Sequence, residues 1–253
     1  MFLGASESSS FLHKITVKLK HEVSLVSREY EIYLVFVNPR FEIMTDSPHS
    51  IPIWRVPQQA RSWERFHRIL DAAAELFVEI GYESVTTDEI AARANTSVGG
   101  LYRFFPDKLA VFHALLDRYL NQLREVSAAH HTEEAMQVDL DVYVNQLVDE
   151  FDRFVSANPG FRTVFIQSRL ISTTVAMSAA FYHELAQQFT VYFAARNPSL
   201  DRSQRELIAT ISVEVACTLD LLAVSRDRTF QHQVLTETKK LLIAYLGQYL
   251  PVL

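Results

Sequence analysis

The chain has 253 residues, of which 49% are hydrophobic and 21% charged, and its formal net charge is −6 at pH 7. An apolar fraction of this size can bury a core, so wholesale disorder is excluded. Only six glycines and eight prolines are present, which argues against collagen-like, linker-rich and many-turned β architectures. The single cysteine, Cys217, excludes an intrachain disulfide and a multi-thiolate metal site.

The first ten residues are polar and serine-rich, without the continuous apolar core of a signal peptide. The longest apolar run near them, Ile32 to Val37, is far shorter than the roughly 20 residues that span a bilayer. These features predict a soluble, cytoplasmic protein that does not enter a membrane.

Residues 1–60 are predicted to be an irregular or disordered extension. Ile15, Val17 and Leu19 alternate with polar residues, and Tyr30 to Val37 is a β-type run, so a small β-hairpin is one interpretation. The alternatives are a disordered leader, or a start of synthesis at Met44, just before a proline-rich polar linker.

Helical periodicity begins at Arg61 and continues to the end of the chain. The first predicted helix carries an apolar stripe at i, i+3, i+4, i+7, i+11 and i+14, and Gly81 ends it. Its stripe consists of Phe66, Ile69, Leu70, Ala73, Phe77 and Ile80.

Three short-range signals predict the helices that follow. Thr86 and Glu89 have the spacing of a capping box at the start of a second helix, which ends near Ala94. Asn95 can take the left-handed conformation in the next turn, and Ser97 caps a third helix that reaches Phe104 or Phe105. Pro106 and Asp107 then open a fourth helix, with Asp107 as its N-cap.

Five further helical segments are predicted, and no repeat of fixed period is visible. They are Glu133 to Ala157, Phe161 to Leu170, Thr173 to Arg196, Ser203 to Arg226, and Val234 to Tyr249. The predicted fold class is therefore all-α.

Two helices joined by a short turn form a helix-turn-helix, whose second helix can lie in the major groove of DNA. The segment from Ser97 to Phe104 contains no acidic residue, and its small Gly99 and Gly100 permit close backbone approach. Four basic residues precede this segment in a cluster that suits a phosphate backbone, namely Arg55, Arg61, Arg65 and Arg68.

The run from Arg65 to Leu109 resembles the N-terminal DNA-binding domain of TetR/AcrR-type transcriptional regulators. The residues that carry the resemblance are Ile69-Leu70-Asp71-Ala72-Ala73, Phe77, Gly81-Tyr82, Thr86-Thr87, Ile90-Ala91, Gly100-Leu101-Tyr102-Arg103-Phe104-Phe105 and Lys108. The resemblance implies a three-helix DNA-binding domain over residues 61–121 and an all-helical domain over residues 122–253 that binds a small ligand and dimerises. Asn95, Thr96 and Val98 depart from the family pattern, which usually has Gly, an apolar residue and a polar residue there.

Roles for single residues follow from their chemistry on that scaffold. Arg103 is the candidate for reading a base edge, with a phosphate contact as its alternative. Val98 could contact a thymine methyl group, and Lys108 should meet the DNA backbone. Hydroxyl or helix-start contacts to phosphates are assigned to Thr86, Thr87, Ser97 and Tyr102, although pure capping is the alternative for both threonines.

A dimer is expected because one short helix reads only a few base pairs, and two copies about 34–36 Å apart read two half-sites. The predicted dimer faces are two apolar stripes on the last two helices, with packing inside one subunit as the alternative. They are Ile208, Ile211, Val215, Leu219 and Leu222, and Leu241, Leu242, Tyr245 and Tyr249.

Aromatic residues crowd the middle helices and could line an effector pocket or form ordinary core, so no ligand-binding residue is assigned. They are Phe151, Phe154, Phe161, Phe165, Phe181, Tyr182, Phe189, Tyr192 and Phe193, with Gln167, Arg169 and His183 as polar groups that could orient a ligand. No catalytic residue, metal site or cofactor is predicted, and His130-His131 reads as an exposed loop pair.

The sequence therefore predicts a ligand-responsive transcriptional regulator, a dimeric repressor that reads a palindromic operator in double-stranded DNA. Its unidentified partner is a small-molecule effector, and no enzymatic activity is expected. The alternative is a helical small-molecule-binding or scaffold protein whose helix-turn-helix corner is only structural.

Overall fold

Every regular element in the part of the chain that the structure describes is a helix, which confirms the predicted all-α class. This computed structural model describes residues 54–132, 134 and 137–250. The alternatives for the N-terminal extension lie outside these residues. The helices are α1 (Ala60–Ile80), α2 (Thr87–Arg93), α3 (Val98–Tyr102), α4 (Lys108–Ala129), α5 (Leu140–Ala157), α6 (Pro159–Ser168), α7 (Ser172–Arg196), α8 (Arg202–Ala223) and α9 (Arg228–Leu246).

Helix α1 buries five of the six residues in its predicted apolar stripe, from Phe66 to Phe77. The sixth prediction is wrong, because Ile80 in the last turn is 46% exposed. The chain leaves the helix at Gly81, whose φ of 80° is a conformation that glycine adopts without steric cost. The side chain of Ile80 is consequently left at the edge of the core.

The predicted caps are all present. Thr86 Oγ1 accepts from the Glu89 amide at 3.3 Å, and Glu89 Oε2 accepts from the Thr86 amide at 2.8 Å, which completes the capping box. Asn95 has φ 50°. Ser97 and Asp107 accept from the amides of Gly100 and Ala110 and so begin α3 and α4.

Helix α3 is shorter than the predicted span from Ser97 to Phe104. The amides of Phe104 and Phe105 both donate to the carbonyl of Leu101, so the chain tightens after Tyr102. Both phenyl rings then turn inward against Phe66, with ring centroids 5.9 and 4.9 Å from it. Burial of these two rings, together with the following Pro106, ends the helix.

The later helices agree with the predicted segments to within three residues at each end, except at two N-termini. The segment predicted from Glu133 becomes helical only at Leu140. The last helix begins earlier than predicted, at Arg228, because Asp227 Oδ1 accepts from the Phe230 amide and caps it. Pro159 occupies the first turn of α6, where its missing N–H costs nothing.

Helix α4 runs without a break from the first three helices into the rest of the fold. It packs against α1, α5, α6 and α7, while α6 packs on α1. Gly160 of α6 makes this approach possible, since a Cβ there would lie 2.9 Å from the Ala74 Cβ and 2.6 Å from the Tyr119 hydroxyl. The predicted division after residue 121 falls within α4 and stays a prediction.

Within the described residues, no single helix has both the length and the hydropathy needed to cross a membrane. Helices α6 and α7 reach that threshold only as a pair, and they are bent by 110° relative to each other.

Candidate nucleic-acid interface

Helix α3 presents one side to solvent and the other to the core. Leu101 is fully buried beneath it, whereas Ser97, Val98, Gly99, Tyr102 and Arg103 are exposed. No described part of the chain covers this outer side. The helix that the sequence predicts to enter a DNA groove is therefore accessible.

Tyr102 and Thr87 are joined across the corner between α3 and α2. Their hydroxyl oxygens lie 3.1 Å apart, so one donates to the other. Tyr102 is 49% exposed and Thr87 is half-buried. The two hydroxyl groups therefore keep hydrogen-bonding capacity towards solvent. Thr86, by contrast, uses its hydroxyl in the capping box, both accepting from the Glu89 amide and donating to Glu89 Oε2.

The two glycines of α3 have different surroundings. A Cβ on Gly100 would lie 2.6 Å from Thr96 Oγ1, so packing of the turn requires glycine there. A Cβ on Gly99 would meet nothing within 4 Å. Since glycine inside a helix costs about 0.5–1 kcal/mol relative to alanine, the fold gives no reason for Gly99. An external surface that approaches the backbone at Gly99 would supply one.

Lys108 lies at the first turn of α4 with its side chain directed across the α1–α2 loop. Its ammonium donates to the carbonyls of Tyr82 at 2.8 Å and Glu83 at 3.1 Å, and lies 4.5 Å from the Tyr82 ring centroid. Lys108 thus holds the loop next to α3 in the unbound protein. Its predicted contact with the DNA backbone stays a prediction.

Acidic side chains neutralise Arg93 on the far side of α2. Its guanidinium donates to Glu79 at 2.7 and 2.8 Å and to Glu75 at 3.1 Å. The hydrogen bond from Arg93 lowers the pKa of Glu79. Arg103 has no such carboxylate partner among the described residues and stays available for an anion.

The segment before α1 runs beside the end of α3. The amide of Arg55 donates to the carbonyl of Phe104 at 2.8 Å, which brings an exposed arginine next to Arg103. Two exposed cations, Arg55 and Arg103, therefore lie at the C-terminal end of the accessible helix, as suits a polyanionic ligand.

An apolar cavity of about 120 Å³ lies among helices α4 to α9. Five of the aromatic residues singled out in the sequence line it, and the other four pack in the core. The lining aromatics are Phe151, Phe165, Phe181, Tyr182 and Phe189. Of the three polar groups suggested for ligand orientation none lines the cavity, although Arg169 donates to the Tyr182 hydroxyl at 3.1 Å.

Sequence reasoning missed Asp220, the carboxyl group in the cavity wall. Burial raises its pKa to about 8, and repulsion from Asp152 adds to this effect. Burial also raises the pKa of Tyr182 and of Cys217. The signal was present in the spacing, because Val213, Cys217 and Asp220 fall at i, i+4 and i+7, on the side of α8 that lines the cavity.

The two predicted dimer faces are only partly available. Ile208 and Leu242 are buried within the subunit, which corrects their assignment to an intersubunit surface. Ile211 and Leu241 are exposed, and the other five predicted residues are half-buried. Leu207, which the prediction did not include, is 61% exposed beside Ile211 on α8.

Two family models match this chain. Residues 69–115 match "Bacterial regulatory proteins, tetR family", and residues 139–246 match "Tetracyclin repressor-like, C-terminal domain". Together they cover more than half of the sequence.

Relatives and solved structures agree with these matches. The HTH-type transcriptional activator FasR of Mycolicibacterium smegmatis is 27% identical over 65% of this chain and 74% of its own length. The HTH-type transcriptional repressor KstR of the same species is 34% identical over 38% of this chain and 46% of its own. A TetR-family transcriptional regulator from Streptomyces coelicolor superposes with a TM-score of 0.55 at 29% identity, covering 74% of this chain and 99% of that one.

Proposed function

The chain belongs to the TetR family of bacterial regulatory proteins, and from this premise we propose that it represses transcription as a dimer by reading a palindromic operator with α3. The observation that carries the proposal is the exposed side of α3, with Gly99 open to solvent and Arg103 free of a carboxylate partner among the described residues.

The chemistry of that side suits double-stranded DNA. Arg103 would donate to guanine O6 and N7, a pairing that discriminates by about 1–3 kcal/mol. Val98 would contact a thymine methyl group, while Gly99 and Gly100 bring the backbone close to the groove. Thr86, Thr87, Ser97, Tyr102 and Lys108 would contact phosphates and fix the orientation of the helix.

Two copies of α3 are needed for useful affinity, so the dimer is part of the proposal. The exposed residues Leu207, Ile211 and Leu241 are large apolar side chains on the last two helices. Pairing of these helices with their copies in a partner subunit would remove this apolar surface from water. The site of action would be the cytoplasm, where the DNA is.

The cavity would hold the effector, and α6 would carry its effect to the DNA-binding helices. Phe165 of α6 lines the cavity, and Gly160 at the other end of the same helix abuts Ala74 of α1. An effector that favours one position of α6 would therefore favour one spacing of the two α3 helices. Regulation would be a shift between two populations, with a magnitude set by the difference in effector affinity.

Titration of the full chain against the DNA upstream of its own gene, at several salt concentrations, tests the proposal. We expect a specific complex that Arg103→Ala weakens at least ten-fold, whereas Arg153→Ala, which removes an exposed arginine of α5, leaves it unchanged. Salt-sensitive binding without sequence preference would instead favour a scaffold protein with a structural helix-turn-helix. Derepression of a reporter gene after deletion of the regulator distinguishes a repressor from an activator.

A further inference from the structure

The cavity wall contains a carboxyl group that nothing in the described structure satisfies. Asp220 is 9% exposed, and neither of its side-chain oxygens accepts a hydrogen bond from a described residue. A charged carboxylate in this apolar wall is disfavoured as long as it has no partner, so a cationic group that pairs with it would gain affinity. We infer that the effector is an apolar amine whose ammonium group pairs with Asp220.

The hydroxyl groups of the wall each have one hydrogen-bond partner already. Ser127 Oγ donates to Gln188 Oε1 at 2.7 Å, and Ser212 Oγ donates to the Ile208 carbonyl at 2.8 Å. The Tyr182 hydroxyl accepts from Arg169. Asp220 is thus the wall residue that selects the polar end of a ligand, while the surrounding aromatic and aliphatic side chains accept its apolar part.

The charges around Asp220 select a cation over an anion. Repulsion from the negative charge of Asp152 on α5 raises the pKa of Asp220. Repulsion from Glu214 likewise raises the pKa of the neighbouring Cys217. Arg169 opposes them, but its guanidinium is already bonded to Tyr182 and lies 5.7 Å from the Phe165 ring centroid. A carboxylate ligand would add a negative charge to this cluster, whereas an ammonium group would neutralise one.

The size of the cavity limits the apolar part of the ligand. A cavity of about 150 Å³ in another protein holds benzene, and this one has a volume of about 120 Å³. We therefore expect a ligand no larger than a single ring with a short aminomethyl arm, and the lining side chains would have to rotate to admit it. This inference rests on the proposed function, because it names the class of the effector for the same cavity.

Pairing with an ammonium group also predicts a pH dependence. The pKa of Asp220 is raised to about 8, so the free protein must lose a proton there before the ion pair forms. Affinity for the amine should therefore increase about ten-fold per pH unit below pH 8. Tyr182 and Cys217 stay neutral throughout this range, because burial raises the pKa of each.

Three probes of equal ring size, namely benzylamine, benzyl alcohol and benzoate, separate the possible head groups. Binding to the full-chain protein is measured by calorimetry and by the rise in melting temperature, from pH 6 to pH 7.5. We expect benzylamine to bind at least ten-fold more tightly than the other two at pH 7.5. Asp220→Asn should reduce this preference to less than three-fold and remove the pH slope, whereas Glu206→Gln, which removes an exposed carboxylate from the same helix away from the cavity, should change neither.

Equal or tighter binding of benzoate or benzyl alcohol, or the absence of binding by all three probes, would overturn the inference. The pH slope of the unaltered protein is an independent readout that needs no variant to fold. The same preparations are titrated with the upstream DNA without probe. If the unaltered protein binds this DNA specifically but shows no preference for the amine, only the effector class is refuted. If the unaltered protein shows no specific DNA binding, the proposed function is refuted.

Discussion

The hydroxyl groups of Tyr102 and Thr87 lie 3.1 Å apart and join α3 to α2 at the exposed corner of the helix-turn-helix. This bond orients the side chain of Tyr102, which is 49% exposed. Tyr102→Phe should therefore lower operator affinity about ten-fold, since a hydrogen bond to a charged group such as a phosphate contributes roughly 1.5–3 kcal/mol. The melting temperature should change little because the bond is exposed. Fluorescence anisotropy with operator DNA measures the first effect and thermal unfolding the second.

The matched control for Tyr102 is Tyr182→Phe, which also removes a bonded tyrosine hydroxyl but in the cavity wall. It should leave DNA affinity in the absence of effector unchanged. Equal operator affinities for Tyr102→Phe and the unaltered protein would remove Tyr102 from the interface.

Replacement of the two glycines of α3 separates fold from function. Gly99→Ala should leave stability unchanged or raise it by up to about 1 kcal/mol, because the added methyl group meets open space and alanine favours a helix. The same variant should lose at least ten-fold in operator affinity, since the methyl group would separate the helix from the groove. Denaturant unfolding and DNA titration of one preparation test both statements.

Gly100→Ala is the comparison for this experiment. Its methyl group would collide with Thr96 Oγ1, so it should destabilise the protein by about 1–3 kcal/mol, the usual range for overpacking. If Gly99→Ala bound the operator normally, no close approach at this position would be needed.

Exposed leucine and isoleucine residues on α8 should hold the dimer together. Leu207→Glu combined with Ile211→Glu would place two negative charges in an apolar interface, where an unpaired charge is strongly disfavoured. We expect this variant to sediment as a folded monomer and to lose operator binding. Val142→Glu on α5, with a side chain 40% exposed, is the control for adding charge and should remain dimeric. A dimeric double variant would place the interface elsewhere.

Asp220 should make stability depend on pH even without a ligand. Its pKa is about 8 in the folded protein and about 3.8 in the reference state, so the folded protein retains a proton that the unfolded chain loses over this range. Its contribution is fully present below pH 4 and declines by up to about 1.4 kcal/mol per pH unit as the pH rises towards 8. Asp220→Asn lacks this titration, so its free energy of unfolding relative to that of the unaltered protein should rise between pH 5 and pH 8. Parallel curves for the two proteins would contradict the assigned pKa.

Helix boundaries with a local chemical signal could be read from the sequence. The capping box at Thr86, the left-handed Asn95 and the caps at Ser97 and Asp107 each depend on residues within a few positions of one another. Asp227 is the same kind of signal, since its side chain caps α9 through the amide of Phe230 three positions away. The end of α3 instead depends on Phe66, which lies almost forty positions away along the chain.

The candidate site likewise contains features that the local sequence predicts and features that depend on distant contacts. Exposure of the outer side of α3 follows from the periodicity of its own few residues. The engagement of Lys108 with the carbonyls of Tyr82 and Glu83, and of Arg93 with Glu79, depends on how the loop and α1 fold back, which residue spacing does not encode. The cavity is harder still to predict from the sequence, because no residue pattern distinguishes an aromatic side chain that packs against a neighbour from one that borders empty space.

The contact of Gly160 with Ala74 and Tyr119 has a practical consequence for engineering. Because α1 forms a surface for α6 and α4 is continuous, the helix-turn-helix is not a detachable cassette. A chimera that grafts residues 61–121 onto the sensor half of another regulator would need a host with an equally small residue opposite Ala74. Exchange of operator specificity is better attempted by rewriting the exposed positions of α3 in place.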